Sequence, residues 1–199
     1  MRNLSYYVAC SVDGFISGED GSTSGFLEEG DHLSDLFSAY PETLPTHLRD
    51  LLGIRGENRV FDTVLMGRTT YEVGLKEGIT NPYSSLKQYL FSRSLASSPD
   101  PNVELVTEDA LEVVKRLKQN EGEDIWLCGG GKLASALFPE IDTLILKVNP
   151  FVMGAGVPLF AKRVPQTALR LVSSRTYPNG FALMHYHTRP RQSAPGGLL

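Results

Sequence analysis

Three places along the chain put glycines or hydroxyls and a cation directly after an apolar, strand-like run. The first is "IWLCGGGKLASALF", residues 125–138, where Gly129, Gly130 and Gly131 are followed by Lys132 and then Leu133 in a helical pattern. A strand that ends in glycines and opens a helix can bring backbone N–H groups up against a phosphate, and the helix dipole favours the anion there. Lys132 adds a cation at the same point. The spacing is neither G-x-G-x-x-G nor G-x-x-x-x-G-K-[ST], so no standard nucleotide fingerprint applies. A flexible turn with a solvated lysine is the plain alternative. The second place is "VLMGRTTYEVG", residues 64–74, with Gly67, Arg68, Thr69 and Thr70 in succession. Arg68 suits bidentate recognition of a phosphate. Thr69 with Glu72 reads as a capping box for a following helix, and an ordinary capped helix with a surface arginine is the alternative. The third is Ser92-Arg93-Ser94, just past "QYLF". Three such strand ends suit a ligand with several phosphates lying across the carboxyl edge of a sheet, where α/β proteins bind nucleotides.

Other residues carry weaker signals. Asp13-Gly14 closes an apolar run and reads as a turn before it reads as an acid beside a reacting ring. His185 and His187 share one face of a strand, but no third ligand stands at metal spacing, so no metal is expected. Glu28, Glu29 and Asp31 read as surface acids or as proton donors. The glycines of "PFVMGAGVPLF", residues 150–160, let backbone pass near an active-site mouth or shape a dimer contact. Tyr6, Tyr7 and Tyr71 read as packing.

These groups need a scaffold, and the rest of the sequence supplies one. The 199 residues are 41% hydrophobic and 21% charged, the balance of a single globular domain with a real core. A formal net charge of −4 makes no electrostatic case for nucleic acid or an anionic membrane. No apolar run is long enough for a membrane span, and the N-terminus leads into a strand pattern without signal-peptide features. Cys10 and Cys128 lie inside apolar runs and read as buried thiols. A cytoplasmic protein is the expectation. Residues 4–12, 60–66, 88–91, 103–106, 124–128 and 143–148 read as strands. Two short helices are expected over 32–53, split by Pro41 and Pro45, and one over 109–119 with Asp109 and Glu112 as a capping box. Strand 124–128, helix 132–138 and strand 143–148 form a βαβ unit, which favours parallel pairing. Pro178-Asn179-Gly180 between two strand-like runs predicts an antiparallel hairpin. The expected fold is α/β, a mixed, mostly parallel sheet flanked by helices, spanning residues 1–187. Residues 188–199 read as a disordered tail.

Taken in order, "YYVACSVDGFIS", "FDTVLMGRTTYE", "YLFSRSL", "IWLCGGGKLASALF" and "NPFVMGAGVPLF" resemble the dihydrofolate reductase superfamily. More closely, they are similar to its RibD C-terminal-domain branch, the pyrimidine reductase of riboflavin biosynthesis and its stand-alone relatives. The resemblance implies an NADPH-dependent reductase on a sheet of about eight strands, often a homodimer. Val8, Ala9, Ile16 and Ser17 would flank the nicotinamide. Gly67, Arg68, Thr69 and Thr70 would hold phosphates, and Ser92 and Arg93, with Arg68, would face the adenosine 2′-phosphate. Cys128 and Gly129 to Leu133 would cradle the pyrophosphate, with a cis peptide between Gly129 and Gly130. The substrate would be a small pyrimidine or pteridine, 5-amino-6-(5-phosphoribosylamino)uracil first and a dihydrofolate or dihydropteridine second. Apart from the resemblance, a proton must arrive from an acid such as Asp31 or from an ordered water. The chain departs from the family at two points. Ser24-Gly25-Phe26 stands where many stand-alone relatives have an Asp-Trp pair, and Leu127-Cys128 stands where the riboflavin enzymes usually carry a glutamate. A nucleotide-binding module without catalysis is the competing class.

Overall fold

Strand β1, Leu4–Ser11, is the middle of the molecule, and its near-continuous aromatic and aliphatic run is what a strand covered on both faces requires. The computed structural model describes residues 1–54 and 56–188. Within it β1 lies between β6 (Asp124–Gly129) and β7 (Ile141–Asn149), parallel to both. β3 (Phe61–Gly67), β4 (Lys87–Phe91) and β5 (Val103–Val106) continue the parallel run outward from β6. The hairpin of β9 (Arg170–Thr176) and β10 (Ala182–His187) adds to β7 with β10 antiparallel. The order is β5-β4-β3-β6-β1-β7-β10-β9, a mostly parallel eight-stranded sheet. The fold class read from the sequence is the one observed. A second sheet, which sequence patterning did not anticipate, pairs β2 (Phe15–Ser17) with β8 (Val157–Pro158).

Helices cover both faces. On one, α4 (Ala110–Gln119) and α5 (Gly131–Leu137) pack Val113, Val114, Leu117, Leu133 and Leu137 onto Leu4, Tyr6, Leu65 and Leu127. On the other, α1 (Asp31–Ala39) and α3 (Arg68–Lys76) bring Leu36 and Tyr71 to a cluster of Tyr7, Phe61, Trp126 and Phe181. Trp126 finds the partner its buried N–H needs in the Tyr7 carbonyl at 2.9 Å. A 3₁₀ turn at Pro41–Thr43 separates α1 from the short α2 (Thr46–Leu51), as the two prolines predict.

Two expected caps differ in detail. Asp109 accepts from the amides of Leu111 and Glu112, but Glu112 turns to Lys115 Nζ at 2.8 Å and leaves the box half made. The Thr69–Glu72 box does not form. Helix α3 starts two residues earlier with Gly67 as its cap, and Glu72 is drawn to Arg68 Nε at 2.6 Å. The hairpin turn is the one expected, with Gly180 at a φ of 86° and Asn179 Oδ1 accepting from Phe181 N–H. Residues 189–199, nearly all of the expected tail, lie outside the described residues.

The two edges of the sheet differ in charge. At the amino edge Arg2, just ahead of β1, pairs with Asp62 at the head of β3 and donates to Thr63 Oγ1 at 2.7 Å. Nearby, buried Lys118 pairs with Asp142 at 2.7 Å and Glu140 at 3.3 Å, around the head of β7. The carboxyl edge carries the glycine junctions.

Candidate functional site

At the carboxyl edge, the ends of β1, β3, β4, β5 and β6 open into a groove of about 810 Å³. Every residue read from the sequence as cofactor-binding lines it: Val8, Ala9, Ile16, Ser17, Gly67, Arg68, Thr69, Thr70, Ser92, Arg93 and Cys128 to Leu133. The adjacency of β4, β3 and β6 brings the three junctions together.

Each glycine of the cluster has its own reason. Gly129 has a φ of 150°, which a side chain rarely adopts, and the Gly129–Gly130 peptide is cis. A Cβ on Gly131 would stand 2.2 Å from the Pro158 carbonyl oxygen of β8, so that position takes no larger residue without movement. Gly131 O also accepts from Ala161 N–H at 3.1 Å, which holds the segment after β8 along the rim. At the second junction Gly67 caps α3 without a side-chain partner, so the amides of the first turn face the groove unclaimed by a cap. Arg68 bridges junctions, with Nη1 donating to Ser94 Oγ at 2.7 Å while Nε holds Glu72. Ser92 is buried, and its hydroxyl accepts from Leu95 N–H at 3.2 Å, so it shapes the turn that presents exposed Arg93. Sequence reasoning did not select Glu108 or Lys162, and placed Ser94 in the third junction without assigning it to the cofactor; all three line the groove. Ser94 was within reach, because the Ser-Arg-Ser triplet placed it beside Arg93.

The loop over residues 150–156 is held by Asp13. Its carboxylate accepts from Ser11 Oγ at 2.6 Å, Met153 N–H at 3.0 Å and Gly154 N–H at 2.7 Å. The Ser11 hydroxyl first, then the Met153 amide, hold this exposed acid down to about 2. The turn the sequence favours closes with Gly14 N–H donating to the Ser11 carbonyl at 3.0 Å, and Asp13 has the further role of a loop anchor.

A second, smaller cavity of about 160 Å³ adjoins the groove on the α1 face, and Ala9 and Phe26 belong to both walls. Its other walls come from α1 (His32, Leu33, Leu36, Phe37), β1 (Tyr7), β7 (Lys147, Asn149), the 3₁₀ region (Thr43, Leu44), Leu27 and Phe181. No carboxylate is among them. Asp31 is exposed and lines neither cavity, and the same holds for Glu28 and Glu29. The structure thus does not bring the expected proton donor to the site, because α1 turns its second residue inward instead of its first. That residue, His32, is fully buried, stacks on Phe181 at 4.2 Å, and meets Asn179 Nδ2 through Nδ1 at 3.1 Å. Among the described residues its buried Nε2 has no partner in hydrogen-bond geometry, and burial lowers the ring's basicity, opposed by the Leu27 carbonyl and the Asp31 charge. Lys147 is half-buried, with Nζ 4.2 Å from the centre of the Tyr7 ring. Burial pushes its ammonium down to about 8, an effect opposed by the Cys128 and Cys10 thiols. Both thiols are themselves pushed up to about 11, mainly by burial, and stay neutral.

Comparison with known proteins places this architecture. The family model of the RibD C-terminal domain matches residues 2–183. The chain belongs to the RibD C-terminal domain family. Among curated members, the uncharacterized protein YwjB of Bacillus subtilis (strain 168) is 33% identical, covering 93% of this chain and 97% of its own. The uncharacterized protein YyaP of the same organism is 26% identical over 94% and 95% of the two chains. A Shewanella sp. PV-4 protein named for riboflavin biosynthesis has a similar fold, with a TM-score of 0.66 at 22% identity, over 96% of this chain and all of its own. So does a diaminohydroxyphosphoribosylaminopyrimidine deaminase/5-amino-6-(5-phosphoribosylamino)uracil reductase of Thermotoga maritima, with a TM-score of 0.62 at 16% identity. It aligns with 94% of this RibD C-terminal-domain protein, which spans 57% of the Thermotoga chain. Among the described residues, no helix is long and apolar enough to cross a membrane.

Proposed function

We propose that this protein is an NADPH-dependent reductase whose groove holds the dinucleotide and whose small cavity holds a compact ring substrate. The single observation that carries this reading is the convergence of the three glycine, hydroxyl and guanidinium junctions on one groove. The residues fit the cofactor. Gly129 and Gly130 leave room that a Cβ on either would share with Thr70 Oγ1 at 3.4 Å, and the first turn of α3 offers amides to phosphate. Arg68, Arg93 and Ser94 stand together at one end, where a 2′-phosphate would find them. Val8, Ala9 and Ile16 line the other end, next to the small cavity. NADPH bound this way would supply hydride to a C=N or C=O. The protein's part is to place the acceptor against Ala9, exclude water with Tyr7, Phe26, Phe37 and Phe181, and provide a proton.

The substrate reading is a pyrimidine or pteridine. 5-amino-6-(5-phosphoribosylamino)uracil leads because the Thermotoga protein is named for its reduction; a dihydrofolate or dihydropteridine comes second. The lack of a carboxylate among the described walls of the small cavity favours one further reading, a nucleotide-binding module without turnover. The exposed apolar residues of the β9 edge, Leu171 at 50% and Val172 at 43%, are the surface on which we propose a homodimer. The proposed location is the cytoplasm.

Calorimetric titration of the protein with NADPH and NADH, followed by NADPH oxidation assays with these substrates, tests the reading. Tighter binding of NADPH and turnover with one substrate are expected. Binding without turnover would leave the module reading, and failure to bind either dinucleotide would end both.

A further inference from the structure

The small cavity holds one ammonium that nothing in the fold uses. Among the described residues, Lys147 Nζ has neither an ion-pair nor a hydrogen-bond acceptor, only the face of Tyr7. Lys118, also buried, has two carboxylates and a carbonyl. An unpaired, partly desolvated cation costs stability and is kept where it serves a ligand. Lys147 stands level with Ala9 of β1 in the parallel register, and Ala9 is the residue shared by the cavity and the groove. Its three N–H donors therefore face the place where an acceptor ring would meet the dinucleotide.

The groups around it leave no competitor. From β1 come Tyr7 and Cys10, and from β6 comes Cys128, whose sulfur meets Tyr83 Oη at 3.9 Å; burial raises all of these and keeps them neutral. From α1 comes His32, whose basicity burial lowers against the opposing Leu27 carbonyl and Asp31 charge; Asp35 of the same helix is committed to Tyr177 Oη and Arg175. Glu42, in the 3₁₀ turn, spends its carboxylate on the amides of Arg59, Val60 and Phe61. From β10, Leu183 stands opposite Lys147.

We infer that Lys147 is the proton donor of the reduction, and that His32 Nε2 is a second polar contact for the ring in the same cavity. The inference rests on the reductase reading and deepens it. The hydride with its electron pair comes from NADPH. The pair displaced from the C=N or C=O bond moves onto the heteroatom, and Lys147 gives that atom a proton. The resulting neutral amine is reprotonated from solvent. A compact planar ring with a carbonyl or imine beside the reduced bond is the substrate this arrangement recognises.

The test uses the whole protein with its lysines reductively 13C-methylated, which keeps their charge, and follows them by NMR against pH. The Lys147 signal is assigned by its loss in Lys147→Met. It should titrate near 8, and about a unit lower with NADP+ than with NADPH, because the oxidised ring adds a positive charge nearby. An ordinary lysine titration near 10.4, or identical titrations with both cofactor forms, would overturn the inference. In turnover, a donor must be protonated, so kcat should be level below about pH 8 and fall tenfold per unit above it. Lys147→Met should lose about 100- to 10,000-fold in kcat, and lose that limb, with NADPH affinity unchanged. Persistence of the limb in the variant contradicts the assignment. Failure of NADPH to bind at all is seen first by calorimetry; it ends the reductase reading and this inference with it.

Discussion

The two edges of one sheet are built to opposite plans. At the amino edge the buried cations Arg2 and Lys118 are matched by Asp62, Asp142 and Glu140, and little is left to recognise a ligand. At the carboxyl edge the strands end in glycines, uncapped helix amides, an exposed arginine and an ammonium that has no anion among the described residues. Unpaired polar groups cost folding free energy, so a fold tolerates them where a ligand will complete them. The contrast separates the part of the molecule that holds the sheet together from the part that works, and it can be broken by substitution.

The largest effect is expected at the closed edge. Lys118→Met strands Asp142 and Glu140 and should cost about 3–5 kcal/mol of stability, measured by denaturant unfolding, while NADPH affinity stays at the wild-type value. Gly131→Ala tests the seam between the edge and its rim. Its Cβ meets the Pro158 carbonyl, so a loss of about 1–3 kcal/mol is expected, together with weaker NADPH binding, because the segment over the groove must move. Arg68→Ala and Arg93→Ala work the other way. Each should weaken NADPH by roughly tenfold, about 1.4 kcal/mol, and leave NADH binding and the unfolding midpoint nearly unchanged. Equal losses for both dinucleotides would remove the 2′-phosphate from that end of the groove.

The smallest effect is at Asp13. Its folded-state carboxyl is held below its ordinary range, so its contribution is present above about pH 4 and is lost as pH falls through about 2. Asp13→Asn should abolish that acid-side dependence and speed amide exchange at Met153 and Gly154 at neutral pH. An unchanged exchange rate would mean that the loop is held elsewhere.

What sequence reasoning could see follows from how each feature is encoded. The groove was legible because each wall is a continuous stretch in which an apolar run turns into glycine, hydroxyl or arginine within a few residues. Alternation and turn residues likewise exposed the β9–β10 hairpin. The small cavity was not legible, since its walls come from β1, α1, the 3₁₀ turn, β7 and the hairpin turn, and only tertiary packing joins them. Choosing an acid near the expected position led to Asp31, whereas the helix rotates His32 inward by a single residue. A signal for Lys147 was present, a lone cation two residues from core-facing Ile145 in the strand "IDTLILKVN". Strand periodicity places both on one face. The β2–β8 pair escaped notice because strands of three and two residues leave almost no pattern.

A crystal structure of the protein with NADPH tests the central claim most directly. The account predicts the pyrophosphate against Gly129 to Gly131 and the first turn of α3, the adenosine phosphate between Arg68 and Arg93, and the nicotinamide at Ala9 facing Lys147. A dinucleotide bound away from the three strand ends, or one whose nicotinamide is turned from the small cavity, would contradict it.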